Sequence, residues 1–249
     1  MPNLKLVVQY DGTRYLGWQR QREEDPERPR TIQGKLEQVL SRLAGERVTV
    51  IGASRTDAGV HAEAQVANFH ASSPLEPERV LAYCARYLPS DIAVRSVEEA
   101  DPRFHARFLA RRKRYLYRIW TRPYPDVFHR KYSLHVAEPL EASAMRRAAE
   151  SLVGQRDFSS FTSMKSKTKS PVRTLFALDV AEEEGSLELA FEADAFLPHM
   201  IRIMTGTLLE AGAGRLDPRA VAAILEARER SAAGPLAPAR GLCLMAVLY

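Results

Sequence analysis

The first hundred residues switch hydrophobic period in a fixed succession, and that succession restricts the fold more than any other property of the chain. Leu4 to Tyr10 reads as a strand closed by the Asp11-Gly12 turn. Thr31 is placed to cap a helix whose apolar positions Ile32, Leu36, Val39, Leu40 and Leu43 recur at helical spacing, with Gly45 as its stop. Period two returns at Val48, Val50 and Gly52 and again at Ala64, Val66 and Asn68, with a polar turn over residues 53–62 between the two runs. Ser73-Pro74 is expected to open a second helix, striped by Val80, Leu81, Cys84, Tyr87 and Leu88 and stopped by Pro89, before a strand over Ile92 to Val97. Strand, helix, strand, strand, helix, strand is the order of the ferredoxin-like split unit.

The second half repeats that order with one extra helix. Strands are expected over Lys113 to Arg122, Val172 to Val180, Ser186 to Ala193 and Gly241 to Tyr249, with a short one near Tyr132 to Val136. The helices expected here are Glu141 to Val153, Pro198 to Glu210 and Asp217 to Arg228. The expected fold class is therefore α+β: two similar βαββαβ halves, residues 1–107 and 108–249, with their sheets joined or adjacent and a basic cleft where they meet. The charged, proline-containing Gln21 to Arg30 segment is expected to be a mobile surface loop. With 45% hydrophobic and 27% charged residues the chain has the make-up of a soluble globular protein. It contains no apolar run of about 18 residues and opens directly into a charged strand rather than a signal peptide, so no membrane span is expected and the cytoplasm is the default location. Cys84 and Cys243 lie far apart within apolar stretches and read as buried thiols.

Chemistry is carried first by the turn Ala53-Ser54-Arg55-Thr56-Asp57-Ala58-Gly59-Val60-His61-Ala62. It is either an Asx-type turn with no further role or a loop presenting Asp57 to a substrate, since loops on rigid scaffolds carry functional groups. Arg55 next door would hold the Asp57 carboxylate ionised, which suits a nucleophile better than a proton donor. Arg202, set among Ile201, Ile203 and Met204, is expected to be a buried guanidinium in need of a carboxylate, for which Asp57 is a candidate.

A second constellation runs from residue 103 to 122. Arg107, Arg111, Arg112, Lys113 and neighbouring arginines interleave with Phe104, Phe108, Tyr115, Tyr117 and Trp120. Cations for phosphates beside aromatic faces for unstacked bases match single-stranded RNA recognition. Lys165, Lys167 and Lys169 repeat the basic theme in a Ser-rich stretch that would equally pass as a solvated loop. The net charge of +5 is compatible with such a ligand without requiring one. His61-Ala62-Glu63 matches the first half of a zinc deaminase signature, but no Pro-Cys-x-x-Cys completes it, so no metal is expected. The glycines at 206, 212 and 214 lack the spacing of a dinucleotide fold, and no small-molecule cofactor is implied.

The motifs Tyr10-Asp11-Gly12, Gly17-Trp18-Gln19, Thr31-Ile32-Gln33-Gly34, Arg55 to Ala62, Phe104-His105-Ala106-Arg107, Lys113-x-Tyr115-x-Tyr117, Phe196-Leu197-x-x-Met200-x-Arg202 and Gly241-Leu242-x-Leu244 together resemble the TruA-type tRNA pseudouridine synthases, in that family's order across nearly the whole chain. The resemblance implies the pseudouridine synthase fold, a largely antiparallel central sheet with helices on one side, and cofactor-free isomerisation of uridine to pseudouridine at positions 38, 39 and 40 of the tRNA anticodon arm. It implies Asp57 as the catalytic nucleophile, Tyr115 packed on the target base, Arg202 paired with Asp57, and Arg55 helping to hold the base flipped out. It also implies a homodimer with tRNA contacting both subunits. Ser54 departs from the glycine found in many members, which touches loop geometry only. The alternative on the same scaffold is a non-catalytic tRNA-binding or RNA-folding protein, and a metal-dependent base deaminase is a distant third.

Overall fold

The computed structural model describes residues 1–21, 24, 25, 27–163 and 170–249. It is a mixed α+β fold built on largely antiparallel strands, and it divides into two compact units, residues 1–111 with 244–249 and residues 112–243.

In the first unit the chain forms β1 (Asn3–Tyr10), α1 (Ile32–Ala44), β2 (Ile51–Gly52), β3 (His61–His70), α2 (Pro77–Tyr87) and β4 (Ile92–Ala100). β1 lies between β3 and β4, β2 pairs with the other side of β3, and every pairing is antiparallel, as the split-unit order requires. The capping expectation for α1 holds: the Thr31 hydroxyl accepts from the Gly34 N–H, and Gly45 closes the helix at φ 70°. Ile32, Leu36 and Leu40 are fully buried along its inner stripe. α2 begins at Pro77 rather than at Ser73-Pro74. A residue before proline is pushed out of the helical region, and Glu76 is extended at φ −62°, ψ 128°.

β2 is only two residues long, shorter than the alternation from Val48 suggests. Val48 and Val50 are buried as that alternation requires, but their backbone is satisfied by α1 instead of a ladder. Ser41 Oγ accepts from Val48 N–H at 2.9 Å, Glu37 Oε1 from Val50 N–H at 3.1 Å, and Gln33 Nε2 donates to Val50 O at 3.0 Å. An inward-facing alternation therefore marks burial here, not strand pairing.

The second unit contains β5 (Arg112–Trp120), β6 (Leu134–His135, parallel to β5), α3 (Ala142–Glu150), β7 (Gly154–Asp157), β8 (Val172–Glu183), β9 (Ser186–Ala193), α4 (Met200–Gly212) and α5 (Ala220–Ala227). Its antiparallel order is β5-β9-β8-β7. β7 lies outside the expected elements, because Gly-Gln-Arg-Asp is a polar edge strand with no apolar alternation to announce it. α3 packs on β8 and α4, and α4 is apolar on nearly all sides and correspondingly buried. The last strand, β10 (Leu242–Leu248), contributes its first two residues to the second unit and the remainder to the first. Among the described residues no helix is long and apolar enough to cross a membrane.

Candidate active site

The loop carrying Asp57 is fastened at successive backbone groups. Ala53 N–H donates to Val66 O at 2.8 Å, continuing the β2–β3 pairing by one bond. Gln65, fully buried on β3, then takes the place of a pairing strand: its Oε1 accepts from Ser54 N–H at 3.1 Å and its Nε2 donates to Ser54 O at 2.7 Å. Ser54 is thus held through its main chain, which is why a side chain is tolerated there. The Thr56 hydroxyl bonds Tyr10 Oη at 2.8 Å, and Thr56 O accepts from Trp18 N–H at 3.0 Å. Val60 N–H returns to Asp57 O at 3.2 Å to close the turn.

Those contacts explain why motifs distant in sequence accompany the loop. The first N–H groups of α1 need acceptors, and Ile32 and Gln33 donate to Gly17 O (3.2 Å) and Trp18 O (3.0 Å). The same Gly17-Trp18 segment grips Thr56 through the Trp18 N–H, so the start of α1 and the Asp57 loop share one brace. Gly17 has φ 93°, and a Cβ there would stand 2.7 Å from Thr56 O, so both its conformation and its neighbour demand glycine. The Trp18 ring is 2% exposed and sits 6.0 Å from the Tyr10 ring. His61 is 5% exposed, accepts from Gly12 N–H through Nδ1 at 3.1 Å, and lies 3.2 Å from Asp11 Oδ1. It is thus tied into the Asp11-Gly12 turn, and among the described residues no three His, Cys, Asp or Glu side chains converge as a metal cage would require.

With its neighbours pinned, the loop leaves Arg55 exposed and Asp57 half-buried. Partial burial and the positive charge of Arg107 pull the Arg55 guanidinium below its usual range. Among the described residues neither Arg55 nor Arg107 has an ion-pair partner.

In the second unit β5 sorts its side chains by face. Lys113, Tyr115, Tyr117 and Ile119 are buried, whereas Arg112 and Arg114 are exposed. The exposed guanidiniums meet acids from β9: Arg112 and Arg114 both bond Glu192, at 2.7 and 2.5 Å, and Arg118 bonds Glu188 at 2.9 Å. These hydrogen bonds hold the Glu192 carboxyl below its usual range. Arg112 also lies 4.4 Å over the Phe176 ring. Tyr115 is 7% exposed and stands near-perpendicular to the Phe196 ring, the centroids 5.2 Å apart. Tyr117 donates to Pro238 O at 2.7 Å, and Arg202 Nε donates to Ala237 O at 2.8 Å, so both strap the segment leading to β10. Burial raises the Tyr117 phenol, against the opposing charges of Arg202 and Arg240. Arg202 is half-buried, not enclosed. Gly206, one turn on, admits Pro235 O where a Cβ would lie 1.8 Å away. Arg111 ends the first unit, its N–H donating to Leu248 O at 2.8 Å, while Lys165, Lys167 and Lys169 fall outside the described residues.

Comparison with known proteins bears on what this arrangement is for. Residues 6–109 and 148–249 match the family model described as tRNA pseudouridine synthase. The chain belongs to the tRNA pseudouridine synthase family. It is 46% identical to a tRNA pseudouridine synthase A 2 of Bacillus cereus, over 98% of each chain. Over the full length of both chains it is 44% identical to tRNA pseudouridine synthase A of a Bacillus species and 46% identical to that of Moorella thermoacetica. The family's enzymes are isomerases. In this family member Tyr10 and the Gly17-Trp18 segment are fastenings of the Asp57 loop. Gln65 is the part that sequence reading passed over. A signal existed, a glutamine between Ala64 and Val66 in an apolar run, since a buried amide must be doubly bonded.

Proposed function

We propose that this protein converts uridine to pseudouridine at positions 38, 39 and 40 of the tRNA anticodon arm, with Asp57 as the nucleophile. The observation that carries the reading is the immobilised loop: Ser54 and Thr56 are each held through backbone bonds, so the carboxylate at 57 sits on a stiff mount. Isomerisation conserves every atom of the substrate, and no cofactor is consumed. The uridine leaves its stack at a cost of a few kcal/mol, which phosphate contacts to basic side chains offset. The N1–C1′ bond then breaks, the uracil rotates, and C5 bonds to C1′ and gives up its proton while N1 ends protonated, with the carboxylate attacking the base or sugar or stabilising or deprotonating the detached sugar. In this reading Tyr115 packs on the extruded base, Arg202 pairs with Asp57, and Arg55 holds the base out of the helix. Arg107, Arg111, Arg112, Lys165, Lys167 and Lys169 supply the backbone contacts, and Lys113, expected among them from sequence, does not join them because it is buried. A homodimer working in the cytoplasm, with tRNA reaching both subunits, completes the proposal.

Incubating the purified protein with unmodified tRNA and mapping pseudouridine by position tests reaction, substrate and site together. Asp57→Asn is expected to lower turnover by about 10⁴-fold, the scale on which losing a nucleophile acts, while tRNA affinity stays within about threefold. A variant that retains full activity removes Asp57 from the mechanism. If the parent binds tRNA and forms no pseudouridine, the protein is an RNA-binding one only.

A further inference from the structure

The first unit displays an aromatic side chain that its own packing does not use. Phe108 is 76% exposed, yet its ring lies 4.1 Å from that of His105 at an interplanar angle of 27°. The stack is held by backbone: His105 Nδ1 accepts from the N–H groups of both Arg107 and Phe108 at 3.2 Å, and His105 O accepts from Leu109 N–H at 3.1 Å. The segment is rooted in buried amides. Asn3 Nδ2 donates to Asp101 O and Phe104 O at 2.9 Å, Asn68 Oδ1 accepts from Ala106 N–H at 2.9 Å, and Tyr249 Oη donates to Ala106 O at 2.7 Å. An apolar ring presented to water on so well-anchored a loop costs hydration free energy without returning core contacts. Arg107 precedes Phe108 in the chain, its positive charge reaches the Arg55 guanidinium, and among the described residues neither arginine has an ion-pair partner. A flat apolar face on a segment that also carries an uncompensated cation complements a nucleotide, with the base on the ring and a phosphate on the guanidinium.

We propose that Phe108, stacked on His105 and preceded by Arg107, is a stacking platform for an unpaired base of the RNA substrate, the adjoining phosphate being taken by Arg107 and Arg55. This rests on the reading that the protein acts on tRNA. The platform serves binding: stacking on an aromatic face accepts any base, so it secures an unpaired nucleotide without selecting its sequence.

The test compares the parent protein with Phe108→Ala and Phe108→Trp on unmodified tRNA transcript, reading KM and kcat, tryptophan fluorescence on RNA addition, and sedimentation. Phe108→Ala is expected to raise KM about tenfold with kcat within about twofold, in line with the loss of one stacked base. Phe108→Trp restores KM, and its added indole emission is quenched by RNA relative to the parent. Thermal unfolding of both variants matches the parent, since the side chain is outside the core. A KM for Phe108→Ala within twofold of the parent overturns the platform. So does a change in sedimentation with KM unaltered, which marks the ring as a protein contact instead. A parent that forms no pseudouridine in the transcript defeats the functional reading itself, independently of either variant.

Discussion

At the scale of single residues, what distinguishes Asp57 from other surface carboxylates is the fixity of its neighbours. Ser54 is bonded through both of its main-chain groups and Thr56 through hydroxyl and carbonyl. A group held in place loses little entropy when it meets its target, and positioning of this kind accounts for several kcal/mol of many catalysed barriers. Tyr115 is held differently, in a near-perpendicular ring contact with Phe196 that leaves it 7% exposed. If its face carries the target base, Tyr115→Phe keeps the face and Tyr115→Ala removes it. Steady-state kinetics on tRNA should then show kcat/KM within about fivefold for the first and lowered about 10- to 100-fold for the second, as befits one stacking contact. Equal kinetics for the two variants would rule stacking out.

At the scale of elements, the loop depends on Gln65 of β3. Gln65→Met keeps volume and shape but leaves Ser54 N–H and C=O buried without partners, at about 1–3 kcal/mol for each group. The expected result is a lowered urea midpoint together with a fall in kcat larger than any rise in KM, because the loop is loosened while the RNA-contacting side chains remain. A fall in stability with kcat intact would show the clamp to be structural only. The same elements show what a sequence discloses. Helix α1 was legible from Thr31 to Gly45 because its cap, its stripe and its stop are all local signals. The partners of the Asp57 loop were not, since Tyr10, Trp18 and Gln65 reach it through hydrogen bonds that leave no periodic trace. The basic stripe on β5, read alone, gathers like charges on one strand face. Glu188 and Glu192 relieve the crowding from the neighbouring strand, and cross-strand register is invisible until the sheet is known.

At the scale of the whole molecule, the ionisable groups shifted most strongly by burial are acids kept neutral. Burial pushes the Cys84 thiol up to about 12. The phenols of Tyr15, Tyr117 and Tyr249 are likewise raised beyond their ordinary range by burial, Tyr15 also by its 2.6 Å bond to Asp91. In the unfolded chain a thiol ionises near pH 8.5 and a phenol near pH 10. All four folded values lie above the unfolded ones, so their contribution is fully present below the unfolded values and is lost as pH climbs toward the folded ones. Cys84, Tyr15 and Tyr117 each remove about 1.4 kcal/mol per pH unit across their windows, whereas the more exposed Tyr249 contributes less because solvent screens it. The shifted carboxyls, Glu192 and Glu138 among them, are lowered, so their contribution holds above the unfolded carboxylate range and fades as pH falls through the folded values. Glu192 and Glu138 pair with arginines at the surface, where solvent screens the gain. The urea midpoint should therefore fall gently on the acid side and steeply between about pH 9 and pH 12. Cys84, Tyr15 and Tyr249 belong to the first unit and Tyr117 to the second, so the alkaline loss weighs more on the unit that carries Asp57. Replacing Cys84 by alanine should delay the onset of that loss to the phenol range while lowering stability at neutral pH by the cavity it leaves. A midpoint as flat from about pH 9 to 11 as from about pH 6 to 8 would contradict the assignment of these buried groups as the source of the alkaline limit.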